Sequence, residues 1–104
     1  MVGIDIVSLS EFKKRFRNIS LEKVFLPVEF SQNPKPENLA GIFVAKEAFF
    51  KALGKKENWL DVWIEKDSFG RPSLNSSLIK TNQRAQISIS HAGDYAIAVV
   101  FLEL

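Results

Sequence analysis

A chain of 104 residues, 46% hydrophobic and 25% charged, has the composition of one small globular domain with a modest core. It has no cysteine, which excludes a disulfide framework and a thiolate site, and its single histidine argues against structural zinc. A net charge of +2 is too small to imply nucleic-acid binding. No apolar run approaches the roughly 20 residues of a membrane span, and "MVGIDIVSLS" lacks the features of a signal peptide. A cytoplasmic protein with no membrane or nucleic-acid partner is expected.

In chain order, "MVGIDIV" alternates and predicts a first strand, with Val2, Ile4 and Ile6 on one face and Gly3, Asp5 and Val7 on the other. Ser8 and Glu11 have capping-box spacing. Leu9, Phe12, Phe16 and Ile19 then follow helical spacing while Lys13, Lys14 and Arg17 take other faces, giving a basic amphipathic helix. A shorter helical piece, "SLEKVFL", is expected to stop at Pro27, and "SQNPKPEN" (31–38) reads as the clearest loop. Pro36 suits a helix first turn and Gly54 a C-cap, so a long helix is predicted between them.

Beyond that helix, "DVWIEKD" reads as a strand, "SFGRP" as a turn, "PSL" as the start of another strand and "NSSLIKT" as a short helix. "AQISIS" and "YAIAVVFLEL", joined by "HAGD", predict a hairpin over 85–104. The whole reads as one α+β domain, 1–104, with a mainly antiparallel sheet packed against the long helix.

The chemistry concentrates in that helix. "FVAKEAFFKALG" (43–54) places Lys46, Glu47 and Lys51 in an otherwise apolar run. Glu47 and Lys51, at i and i+4, share a face. The plain reading is a surface ion pair worth a few tenths of a kcal/mol. The sharper one starts from the scarcity of exposed surface on this helix: a carboxylate near a core must be paired or bind a cation. Asp5 either faces solvent from a half-covered sheet or converges with Glu47. Two carboxylates, several waters and a ligand's phosphates make a typical Mg²⁺ site.

His91, in "SISHAGDY", is either packed locally at a hairpin end or binds phosphate or hydroxyl beside Ser90. Gly70 and Arg71 of "FGRP" form a common turn that suits approach to a phosphate. The cluster Lys13, Lys14, Arg15 and Arg17 is either a solvated face or a dock for an acidic partner. No phosphate loop, dinucleotide fingerprint or nucleophile elbow is present.

Taken in order, "VGIDIV", "FVAKEAFFKALG", "GRP" and "SISHAGDYAIAVV" resemble the holo-acyl-carrier-protein synthases, the single-domain 4′-phosphopantetheinyl transferases, over nearly the whole chain. The resemblance implies an enzyme of lipid metabolism and fatty-acid biosynthesis. It would move the 4′-phosphopantetheine of coenzyme A to a serine of an apo acyl carrier protein, release adenosine 3′,5′-bisphosphate and depend on Mg²⁺. By resemblance Asp5 and Glu47 hold the metal and Lys51 contacts phosphate, the three forming the catalytic set. Lys46, Lys51, Gly70, Arg71, Pro72, Ser90 and His91 line the coenzyme pocket, and Lys13, Lys14 and Arg17 meet the carrier protein. The resemblance also implies a homotrimer with sites between subunits, the apolar last strand supplying contact. Glu11 departs from a position where relatives tend to be basic, and "KKENW" is short where relatives often carry a longer loop. A rival of another class is a small module that only binds an acidic protein or RNA through Lys13 to Arg17; a third is a relative that has lost activity and only assembles.

Overall fold

A computed structural model describes residues 1–103. Strand β1 (Val2–Ser8) leads into helix α1 (Leu9–Arg15). A 3₁₀ turn (Leu21–Lys23), helix α2 (Pro27–Gln32) and the long helix α3 (Pro36–Leu53) follow. After a second 3₁₀ turn (Trp59–Asp61) come β2 (Val62–Lys66), β3 (Pro72–Ser76), β4 (Arg84–Ala92) and β5 (Tyr95–Glu103). The strands make two antiparallel sheets, one ordered β1-β5-β4 and one a β2-β3 ribbon. The α+β class and the hairpin of the last two strands agree with the sequence reading.

Helix α3 has the expected bounds. Pro36 starts it, where a missing amide proton costs nothing, and Gly54 ends it in the left-handed region at φ +80. From Leu39 to Ala52 all but Glu47 and Lys51 are buried, because the three-stranded sheet covers one face and α1, α2 and β2 cover much of the rest.

The sheet turns its other face outward from what simple alternation suggests. Ala96, Ala98, Val100 and Leu102 of β5 are buried against α3, and Gly3 of β1 is buried with them. The regular apolar set of β1 is the exposed one: Val2, Ile4 and Ile6 are each more than half exposed, as are Tyr95 and Phe101. Size decides the polarity, since glycine and alanine let the helix backbone come close to the strands. Asp5, on the Gly3 face, therefore points toward α3.

Three local expectations are corrected. Ile19 lies beyond α1, which ends at Arg15, and is 45% exposed. The piece expected to end at Pro27 is a single 3₁₀ turn, and Pro27 instead opens α2, where the Glu29 carboxylate accepts the free Leu26 amide at 2.9 Å. The short helix expected in "NSSLIKT" is absent: Asn75 and Ser76 finish β3, and a turn follows. Ser76 explains it, since its hydroxyl donates to Asp61 O at 2.6 Å and accepts from the Leu78 amide at 3.0 Å, bonds that compete with a helix.

Candidate functional site

Successive residues of α3 turn about 100° around its axis, so the side chains divide among three directions. Gly41, Ala48 and Ala52 face the sheet, with Gly3 of β1 lying against Ala48 and Ala52, and His91 and Ile89 of β4 against Gly41. Glu47 and Lys51 share the flank toward β1. Asn38 and Ile42 share the flank toward β4. Lys46 points to the back, away from the sheet.

On the β1 flank, the Lys51 ammonium donates to Ile4 O at 3.0 Å and to Asp5 Oδ1 at 3.1 Å. Asp5 is 21% exposed at its side chain and Lys51 55%. Glu47 stands one turn earlier on the same flank, half-buried. The i, i+4 partnership of Glu47 with Lys51 is not formed; among the described residues Lys51 pairs with Asp5 alone. Asp5 Oδ2 and the Glu47 carboxylate have no protein hydrogen-bond partner among the described residues, so both remain available to a ligand. Among the described residues no group of three or more acids, histidines or cysteines that could hold a metal is present. Two carboxylates with free oxygens on one flank of a helix are hard donors of the kind Mg²⁺ takes together with waters, so these residues fit such an ion.

On the β4 flank, His91, Gly70 and Pro72 come together with Lys66, Asn38 and Ile42 around a cavity of about 250 Å³. His91 Nε2 lies 3.0 Å from Glu37 O in the first turn of α3. Gly41 makes that fit possible, since a β-carbon there would stand 3.0 Å from His91 Nε2. Gly70, at φ +80, sits in a turn ordered by Asp67, whose Oδ1 accepts the amides of Phe69 and Arg71 at 2.9 Å each. The Arg71 amide, with smaller help from Phe69 and the Arg71 guanidinium, holds the Asp67 carboxyl below the usual carboxylate range. Arg71 itself is exposed, its Nε 3.4 Å from Asp67 Oδ2.

Two residues of the expected coenzyme set lie elsewhere. Ser90 and His91 are neighbours in a strand and so point to opposite faces. Ser90 is on the outer face, beside Ile4 and Ile97. Lys46 is fully buried, its ammonium donating to Val24 O at 2.6 Å, Glu29 Oε1 at 2.7 Å and Trp59 O at 3.2 Å. Three donors meet three acceptors, and none is left for a coenzyme. Burial, partly offset by Glu29, pulls the Lys46 pKa below the usual lysine range.

Lys13, Lys14 and Arg17 are exposed as expected, Arg17 just past the end of α1. Beside them runs an apolar groove of about 1340 Å³ between the end of α1 and α2, walled by Phe16, Ile19, Leu21, Leu26 and Phe30. Sequence reading missed this groove and also missed Lys66 and Glu29. Lys66 carried a signal in its place at the end of a strand before the "FGRP" turn, whereas Glu29 lay in a segment not read as helix.

The chain matches the family model described as the 4′-phosphopantetheinyl transferase superfamily over residues 1–100. It is 40% identical to the holo-[acyl-carrier-protein] synthase of Nautilia profundicola over 98% of both chains. It is also 40% identical to that of Campylobacter hominis, over 100% of this chain and 98% of the relative. The solved structure of Helicobacter pylori holo-[acyl-carrier-protein] synthase in complex with coenzyme A matches with a TM-score of 0.89 at 34% identity, covering 99% of this chain and 100% of that one. Matches of this extent, joined to the same motifs in the same order, show that the chain belongs to the holo-acyl-carrier-protein synthases of the 4′-phosphopantetheinyl transferase superfamily.

Proposed function

We propose that this chain transfers the 4′-phosphopantetheine of coenzyme A to a serine of an apo acyl carrier protein, with Mg²⁺, releasing adenosine 3′,5′-bisphosphate. The observation that carries the reading is the Asp5–Lys51 pair beside the half-buried Glu47 on the open β1 flank of α3. Relatives solved with coenzyme A support the donor, and the relatives' names support the acceptor.

Asp5 and Glu47 would hold the metal, which when bound neutralises pyrophosphate charge. The serine oxygen forms a new bond to the phosphorus next to pantetheine while the bond to the bridging oxygen breaks. Glu47, or a water that it orients, takes the serine proton. Lys51, held at the site by Ile4 O and Asp5, donates to the oxygen that leaves with the nucleotide. Lys13, Lys14 and Arg17 give the acidic carrier protein its dock, alongside the groove at the end of α1.

The reading includes a cyclic homotrimer. The carboxylate half lies at the β1 edge of the sheet and the His91, Gly70 and Pro72 half at the β4 edge, with α3 between them. One coenzyme bridges both halves only when the β1 edge of one copy meets the β4 edge of the next, a heterologous contact that closes in C₃. Ser90, on the outer face, would then face a neighbouring copy. The exposed Val2, Ile4, Ile6 and Phe101 give that outer face the apolar area such contacts bury.

The test is the intact mass of an apo acyl carrier protein incubated with the protein, coenzyme A and Mg²⁺. A gain of one phosphopantetheine is expected with wild type and is lost with Glu47→Ala or EDTA. No gain across several carrier proteins by a folded sample defeats the reading and leaves a module that only binds.

A further inference from the structure

Helix α3 packs against its surroundings through apolar residues, small ones such as Gly41, Ala45, Ala48 and Ala52 and large ones such as Ile42, Phe43, Phe49 and Phe50. The hydrophobic effect that drives these contacts is non-directional, so by itself it names no particular angle of the helix. Rotation matters here, because Glu47 works from a flank. Turning a helix by about 10° carries a side-chain end, roughly 6 Å from the axis, through about 1 Å. A displacement of that size is enough to cost around a hundredfold in rate.

Directional bonds oppose that rotation: Lys51 and the Glu37 carbonyl tie α3 to the strands, and a buried network holds it from the back. Lys46 precedes Glu47 and is fully buried, and its ammonium reaches three separate segments: Val24 before α2, Glu29 within α2, and Trp59 before β2. Glu29 is fully buried too, and all its bonds are directional. Its Oε1 accepts Lys46 and the Leu26 amide at 2.9 Å, and its Oε2 accepts the β2 amide of Ile64 at 3.0 Å. The Glu29 carbonyl accepts the Asn33 side-chain amide at 2.8 Å, which fixes α2 in turn. Every donor and acceptor of the Lys46–Glu29 pair is engaged. A buried pair is weak evidence for stability, since an apolar pair of similar volume often does as well. Its particular contribution is a fixed angle.

We propose that the buried Lys46–Glu29 pair is a positioning element for Glu47: it fixes the rotation of α3 from the back of the helix, and through that the place of the carboxylate on the β1 flank. The inference rests on the functional reading above.

The test uses full-length protein with three substitutions: Lys46→Met, Glu29→Gln and the double Glu29→Gln/Lys46→Met. The double variant removes both charges from the core and is expected to melt close to wild type. Its kcat is expected to fall at least roughly tenfold, while KM for coenzyme A stays within about threefold, because only Asn38 and Ile42 of the cavity lining are on α3 and Lys66, Gly70, Pro72, Ile89 and His91 lie off it. Lys46→Met alone leaves the Glu29 charge unpaired and is expected to lose stability and rate together. A folded double variant with wild-type kcat overturns the proposal. So does a rate loss that a stabilising osmolyte restores together with the melting temperature, in the double variant or in Glu29→Gln, since that is a stability effect alone. Failure of wild type to transfer phosphopantetheine defeats the functional reading instead, and the positioning role falls with it.

Discussion

Gly3 of β1 lies against the Ala48 carbonyl of α3 so closely that a β-carbon on Gly3 would overlap that oxygen and stand 2.8 Å from the Ala52 amide nitrogen. Neither obstacle is a movable side chain; both are helix backbone. Gly3→Ala is therefore expected to push β1 away from α3. Asp5 lies two residues along the same face and moves with it, away from Lys51. Overpacking of this kind costs about 1–3 kcal/mol, and here the upper end is expected. Urea denaturation should show the lost stability, and carrier-protein mass should show a rate loss larger than the unfolded fraction explains. A variant as stable and active as wild type would mean that the strand and helix have slack at this contact.

The Lys51–Asp5 pair separates stability from chemistry. Lys51 is more than half exposed, so the pair contributes about 0–1 kcal/mol to folding. Lys51→Met is expected to unfold within about 0.5 kcal/mol of wild type. Its turnover is expected to drop roughly 10²–10³-fold, as when one donor to a developing negative charge is removed. Parallel denaturation curves and single-turnover rates check this. Equal turnover would reduce Lys51 to a surface ion pair.

These two cases also show what the sequence carried. The bounds of α3 were legible because Pro36 and Gly54 punctuate a strongly apolar run, and the gathering of Gly70, Pro72 and His91 agrees with the order of their motifs. The polarity of the sheet was not legible. Alternation in "MVGIDIV" defines two faces without saying which is covered, and the deciding fact is that small residues on β1 and β5 match a close-packed helix. The place of Lys46 was hidden for a related reason. Its partner Glu29 is 17 positions away in a short helix that a proline opens, so nothing local distinguished a buried lysine from one lining a pocket.

The proposed division of the site between copies predicts complementation. Glu47 and His91 lie on opposite flanks of α3, so in a ring each site takes one from each neighbour. Glu47→Ala and His91→Ala are each expected to be weakly active alone. Unfolded together in equal amounts and refolded, they should regain about a quarter of wild-type activity, because that share of the sites joins an intact Glu47 to an intact His91. Simple mixing without subunit exchange should regain less. A refolded mixture no better than its parents would show that each chain builds its own site.

The buried pair also gives stability a dependence on pH whose sign follows from burial. Desolvation lowers the folded-state pKa of Lys46, and the Glu29 charge and hydrogen bond only partly offset it. Its ammonium also faces the Val24 and Trp59 carbonyls and lies 5.4 Å from the centre of the Phe25 ring. Between the lowered folded pKa and the ordinary value near 10.5, the unfolded chain holds the lysine proton more firmly than the folded chain does. Stability rises with pH wherever the unfolded state binds more protons, so the cost of the buried ammonium is present in full below the folded pKa and is relieved as pH climbs toward 10.5. The quantity to measure is a difference between two proteins that share every other titratable group. Urea midpoints of wild type and of Glu29→Gln/Lys46→Met, taken from neutral pH to about 10.5, should show wild type gaining on the variant as pH rises. A gap that moves the other way would mean that the attraction of Glu29 outweighs desolvation and raises the Lys46 pKa instead.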